Sequence, residues 1–382
     1  MNSSARSHSN VMATDKVTRF DPRSRRAGGG AGKFIAGAIG LAGVLAISIT
    51  AIAASKTPVL PLQVPSSVST PTPEGNPYGL ALVPTGFPMG GIIKPGDLLV
   101  SNFNNSAAQQ GLGTTIDFID TKNSDTGLYF QVSGLQTTGF TNALGVAKKG
   151  FVFAGTVLTT DGTDGTAAPG DLYILDKNAH VVQTIAPMTN LINGPWGLAV
   201  NDNGNSAQVF VSNVFDGTVT RLDMSFSGSN VTIKKSTTIA SGYLFGLSVG
   251  AIVTGPAGLF YNKAKDVLYV AAEDDNEIFA ISNASKLTSS GGKGTLIFSN
   301  AALNGPLGLV MAPNGHLITV NADSINPTPA IPSDMIEFTT GGTLVRQFSI
   351  DPNAGSGFAL LSLQNEFAYV DDFTSNVTIW SH

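Results

Sequence analysis

The sequence predicts an all-β chain, a six-bladed β-propeller behind an N-terminal export or anchor segment, on three observations. A glycine-marked turn followed by two short apolar strands recurs six times, four of them with the full Pro-x-Gly. The 44 glycines outnumber the 21 Lys and Arg, and with many Val, Ile, Thr, Ser and Asn the composition favours short strands and turns over helices. A single long uncharged apolar run stands near the N-terminus, apart from the repeats.

Residues 1–33 form a basic N-terminal region. Residues 1–54 carry seven basic groups against Asp15 and Asp21, a balance of +5, which leaves 14 basic and 24 acidic groups, −10, on the rest. An acidic body with scattered lysines has no cationic stripe for phosphates, so nucleic acid is excluded as a partner. Phe34 to Ala54 is free of charge, follows the cluster Arg23-Ser-Arg-Arg26 and contains Ala51-Ile52-Ala53, an A-x-A cleavage pattern. Residues 34–54 are therefore expected to be a signal peptide or a transmembrane anchor. The protein is expected outside the cytoplasm, extracellular or periplasmic, touching a membrane only through this segment if it stays uncleaved. Cysteine is absent, which removes disulfide scaffolds, Cys-ligated zinc, iron–sulfur clusters and thiol nucleophiles.

Residues 55–75 (SKTPVLPLQVPSSVSTPTPEG) are dense in proline and read as a linker with room for one edge strand. The propeller is assigned to residues 76–382. Its clearest copy is Gly194-Pro-Trp-Gly-Leu-Ala-Val200, Gln208-Val-Phe-Val-Ser-Asn213 and Thr218-Val-Thr-Arg-Leu-Asp223. Related copies open at Asn76, Gly255 and Gly305, and two degenerate ones at Ala143 and Gly357. The marking glycines fall at 79, 145, 197, 258, 308 and 357. That spacing is close to the period of propeller blades, each of which buries its faces only against its neighbours. The chain ends just after the third strand of the last unit, so the missing outer strand is expected from upstream, at Val59-Leu-Pro-Leu-Gln-Val64.

The repeat, Pro-x-Gly-Leu-Ala-Val then Val-Phe-Val-Ser-Asn then a third strand, resembles the NHL repeat and the six-bladed propellers of the SMP-30, gluconolactonase and paraoxonase kind, over residues 76 to 380. Such propellers host hydrolases, lyases and pure binding platforms alike, so the resemblance implies the architecture before any activity.

Antiparallel pairing places the loop before each first strand and the end of each second strand on one rim. The Pro-x-Gly column reads Tyr78, Leu144, Trp196, Ala257, Leu307 and Ser356; the column ending the second strand reads Asn102, Gly155, Asn213, Ala272, Asn321 and Asp372. Tyr78, Trp196, Asn102, Asn213, Asn321 and Asp372 are the expected ligand-binding residues, since aromatic faces with amide and carboxylate groups suit a small molecule, glycan or protein ligand at a channel mouth. The same Asn and Asp can instead close Asx-turns, and the rings can pack blade on blade. No cofactor is expected. The resemblance implies an alternative, a calcium-dependent lactonase or esterase-like hydrolase, with Glu74, Asn213, Asn321 and Asp372 as its metal set.

Other candidates carry less. Glu273-Asp-Asp-Asn-Glu277 reads as a solvated turn or a cation site on the same rim. Gly246-Leu-Ser248-Val-Gly250 matches the G-x-S-x-G elbow, which requires a strand-to-helix turn foreign to this fold. The four histidines share no metal-ligand spacing, and His316 would need a carboxylate or hydroxyl partner to act as a base.

Overall fold

The computed structural model describes residues 57–60, 65–123, 125–133, 138–322, 333–363 and 366–381, all within the unit Ser55–His382. The basic region and the expected export segment, 1–54, lie outside the described residues. Six four-stranded antiparallel sheets follow one another along the chain, each in simple up-and-down order. Their innermost strands are Pro77–Leu82, Thr138–Ala147, Pro195–Asp202, Pro256–Asn262, Pro306–Met311 and Gly357–Leu363, for blades 1 to 6. A two-stranded hairpin, Gly246–Ser248 with Ile252–Thr254, is inserted between blades 3 and 4. The only helical element among the described residues is a 3-10 turn at Asp164–Thr166.

The Pro-x-Gly signature has a double physical origin. In blades 1, 3, 4 and 5 the proline starts the inner strand beside a bulge, where its missing N–H costs no ladder hydrogen bond. The glycine lies against the next blade. A Cβ on Gly197 would stand 1.9 Å from the carbonyl oxygen of Ala257, one on Gly258 1.9 Å from that of Leu307, and one on Gly308 2.5 Å from that of Phe358. Only a residue without a side chain lets the inner strands converge this closely.

Each blade junction holds its own apolar core, six in all. Phe151, Phe153 and Leu172 of blade 2, for example, pack on Val209, Leu222 and Phe226 of blade 3, and Leu98 and Ile119 of blade 1 pack on Ala368 and Val377 of blade 6, closing the ring. Every inner strand lends leucine to the channel wall, among them Leu80, Leu144, Leu198, Leu259, Leu309 and Leu360, around a cavity of about 230 Å³. A seventh cluster, including Tyr78, Phe103, Trp196, Ala257 and Leu307, seals its rim end.

Blade 6 takes three strands from the C-terminus and its outer strand from the N-terminal side. That strand is Pro65–Ser69, antiparallel to Asn376–Ser381 with Ser67 opposite Thr378. Closure therefore comes from upstream but from the segment after Val59–Val64. Residues 61–64 lie outside the described residues, and Val59 and Leu60 form no strand. Their N–H groups donate instead to the carboxylate of Glu337, at 2.9 and 3.0 Å. A carboxylate there satisfies backbone donors that no ladder reaches, while Leu60 buries its side chain beside Ile318 and Phe367.

Candidate functional site

The channel itself offers a polar ligand almost nothing, because its lining side chains are apolar apart from Asn142. The chemistry collects above it. A cavity of about 500 Å³ opens on the rim, lined by Asn76, Tyr78, Phe103, Gln110, Gly250, Ala251, Glu273, Ala322, Ala354, Gly355, Phe358 and Asp372.

Three rings form its base. Tyr78 stacks on Phe103 at 4.9 Å between centroids, meets Phe358 at 4.6 Å and takes the edge of Trp196 at 5.7 Å. Tyr78 is 4% exposed, and burial pushes its hydroxyl pKa well up, with Glu273 and Asp372 adding to the effect. The phenol therefore stays neutral. Asp372 is half-buried, and burial, with Asp371 alongside, raises its carboxyl to about 7. Glu273 is 1% exposed. Asn76 occupies the left-handed region at φ 55°, where blades 3 and 5 place Gly194 and Gly305. It is 7% exposed, and its Oδ1 accepts no hydrogen bond. The inserted hairpin supplies the remaining wall: Gln110 Nε2 donates to the Gly250 carbonyl at 3.2 Å, and Thr254 Oγ1 to Asp274 at 3.1 Å.

The expected residues divide between this pocket and the blades. Tyr78 and Asp372 line the cavity; Trp196 is fully buried in the core beneath it. Asn213 accepts the Asn193 N–H at 3.0 Å and donates to the Leu191 carbonyl at 3.1 Å, to Thr218 and to Thr220. Asn321 does the same in blade 5, accepting the Asn304 N–H at 3.0 Å and donating to the Ala302 carbonyl at 2.8 Å and to Asp334. Each thereby ties the loop entering its blade to the third strand. Asn102 donates to Thr115 and Asp117, both at 2.9 Å. Glu74 spends its carboxylate on the N–H and hydroxyl groups of Thr114 and Thr115, at 2.5 to 2.9 Å.

Register corrects the two columns in the degenerate blades. Asp371, opposite Gly357, holds the place that Asn102 holds opposite Pro77, so Asp372 is one step further on, level with Phe103 and Glu273. The x position is filled in blade 6 by Phe358, whose carbonyl faces Gly308, and in blade 2 by Thr141, whose carbonyl faces Gly79. Half of the cavity lining comes from these two places: Tyr78 and Phe358 at the x position, and Phe103, Glu273, Ala322 and Asp372 after the second strands of blades 1, 4, 5 and 6. Phe103 and Phe358 are visible in the sequence as strand-end aromatics, but only that register singles them out. Glu273 stands on the rim that the sequence assigns to it. Its run is a built turn rather than a solvated one: Asp275 accepts the Leu244 N–H at 3.0 Å, and Asn276 bridges to Leu303 and Gly305.

The G-x-S-x-G stretch lies on the hairpin strand Gly246–Ser248, which no helix follows. His316 does have a carboxylate partner, Glu337 at 2.7 Å from Nδ1, but at the end of the second strand away from the rim. Among the described residues no three His, Asp or Glu side chains form a metal-binding group.

No protein-family model matches the sequence, and no curated protein matches it. Among solved structures, the chain is similar to a putative oxidoreductase (glucose dehydrogenase) from Thermus thermophilus, with 10% identity and a TM-score of 0.50 over 83% of this chain and 99% of that one. It is also similar to a catalytically inactive virginiamycin B lyase from Staphylococcus aureus crystallised with quinupristin, with 11% identity and a TM-score of 0.48 over 84% and 99%. At such identity the likeness concerns the fold, and the class of protein is the six-bladed β-propeller.

Proposed function

We propose that the protein is an exported binding propeller, of the kind its NHL-like and SMP-30-like repeats resemble, that holds a small ligand or a protruding group of a larger one in the rim pocket. The observation that carries this is the pocket itself. Aromatic rings form its base, two carboxylates stand in its wall, and a buried amide oxygen accepts no hydrogen bond, the mix of apolar body and few placed polar groups that orients a ligand. Tyr78 and Asp372 make the contact, while Trp196, Asn102, Asn213 and Asn321 support the rim from within the blades. Binding proceeds without a resident metal. Of the calcium set, Glu74 is consumed by Thr114 and Thr115, and Asn213 and Asn321 hold loop backbone.

Hydrogen exchange in the presence of a library of small polar aromatic compounds tests the role. A ligand should protect the amides of Asn76, Phe103, Gly250 and Phe358 together, and Phe358→Ala should weaken it. Protection confined to another face would overturn the proposal. One stoichiometric calcium by elemental analysis, with ester or lactone hydrolysis lost in Asp372→Ala, would establish the hydrolase instead.

A further inference from the structure

We infer that the central channel is a second binding site, for a neutral straight-chain compound of about seven or eight heavy atoms ending in a hydroxyl, its chain along the ring of leucines and its hydroxyl on the carboxamide of Asn142. The inference stands apart from the rim pocket. The two cavities share no lining residue, and the cluster of Tyr78, Phe103 and Trp196 lies between them.

The channel is closed at the rim by that cluster and open at its other end. Two residues beyond Leu80, Leu144 and Leu198, away from the rim, stand Leu82, Val146 and Val200. Leu82 is 37% exposed and the two valines are half-buried, so solvent reaches the cavity from that side. Among the described residues of the lining there is no charged side chain. An ammonium or carboxylate drawn inside would therefore be buried without a partner, at a cost that contact with leucine does not offset. An alkyl chain, by contrast, exchanges water for carbon along its whole length.

Asn142 gives the ligand its polar end. Directly after the x position, blades 1, 3, 4 and 5 carry Gly79, Gly197, Gly258 and Gly308 and blade 6 carries Ala359, whereas blade 2 carries Asn142. The inner strand is bulged there, its register shifting between Phe140 and Leu144. The residue thus stands at the inner, closed end of the channel. Its side chain is half-buried and makes no hydrogen bond to another described residue. A carboxamide offers two N–H donors and an acceptor oxygen, and a hydroxyl, donor and acceptor at once, answers both with one atom. Length follows from volume: the cavity of about 230 Å³, at about 30 Å³ for each water-sized group, holds about seven or eight heavy atoms.

Ligand-observed NMR titration of the full-length protein with the primary alcohols butanol, hexanol, heptanol and nonanol, and with chlorohexane and heptanoate, tests this. Affinity should rise about fourfold per methylene up to heptanol and less than about twofold from there to nonanol. Heptanol should bind at least about tenfold more tightly than heptanoate. Asn142→Ala, the residue type that blade 6 has at that place, should weaken hexanol at least about fivefold and chlorohexane by less than about twofold. Leu198→Phe, which fills the channel, should abolish binding with circular dichroism unchanged. Hydrogen exchange with heptanol present should leave the amides of Asn76, Phe103, Gly250 and Phe358 unprotected. No saturable binding, a gain that continues at the same rate through nonanol, protection at the rim amides, or a folded Leu198→Phe that binds as the parent does overturns the channel site. Heptanoate as tight as heptanol, or an equal loss for hexanol and chlorohexane in Asn142→Ala, overturns the placing of the hydroxyl.

Discussion

Replacing Glu337 by alanine should loosen the closure of the propeller from the end of the ring opposite the pocket. The carboxylate is fully buried and accepts from four donors: the N–H groups of Val59 (2.9 Å) and Leu60 (3.0 Å), the amide of Asn314 (2.9 Å) and Nδ1 of His316 (2.7 Å). Val59 and Leu60 lie just before the closing strand, so their anchor sets where Pro65–Ser69 begins its climb along Asn376–Ser381. Hydrogen bonds to a charged group contribute about 1.5–3 kcal/mol each, but donors near the surface regain water, so the loss should be about 3–5 kcal/mol. At about 2 cal/mol/K of unfolding entropy per residue, a domain of this size loses about 1.5 °C per kcal/mol, which gives a fall of about 4–8 °C in Tm. Glu337→Gln, which keeps one acceptor, should lose about half as much. Thermal unfolding by circular dichroism measures the drop, and hydrogen exchange at Ser67 and Val68 shows whether the closing strand detaches with it. In a chain beginning at Thr70 the same substitution should cost much less, because two of its four donors are gone. A Tm within about 1 °C of the parent, or an equal cost in the truncated chain, would refute the argument that this carboxylate works by holding the N-terminal segment.

Gly258→Ala should destabilise by about 1–3 kcal/mol or more, since its Cβ would stand 1.9 Å from the Leu307 carbonyl, whereas Gly75→Ala, with nothing within 4 Å, should be near neutral. Denaturant midpoints compare the two, and equal values would remove the close-approach account of the repeated glycine. Stability should fall as pH rises from about 4 to about 7: burial raises Asp372 to about 7 and Asp117 to about 6, so the folded chain holds protons that the unfolded chain has released. Asp372→Asn should therefore raise the Tm at about pH 8 and flatten the slope between about pH 5 and 8; a parent Tm that climbs over that range would count against it.

The sequence by itself determined the six-bladed architecture, because the features that specify it are local. A proline at a bulged strand start, a glycine two residues later and a period-two apolar strand each act within a few residues, and four full copies with two degenerate ones in succession leave little choice of fold. An upstream closing strand was expected from the sequence as well, and Pro65–Ser69 pairs with Asn376–Ser381. Which residues close it was not legible: Val59–Val64 and Pro65–Ser69 are both proline-bordered and suited to an edge, and the choice turns on the Glu337 carboxylate, 277 residues from Leu60 along the chain. Only the tertiary structure decided the candidate site. In the degenerate blades the marker glycines mislead by two or more positions, which places Phe358 rather than Ser356 beside Tyr78 and moves Asp372 out of the Asn column. Burial, too, depends on what neighbouring blades contribute. Trp196 and Tyr78 hold the same place in their repeats, yet one is sealed beneath the rim and the other lines the pocket, because blade 1 faces Phe358 and the cavity while blade 3 lies under the inserted hairpin and Val214. A repeat fixes where a residue stands in its blade; the ring, by bringing unlike blades together, fixes what that residue can touch.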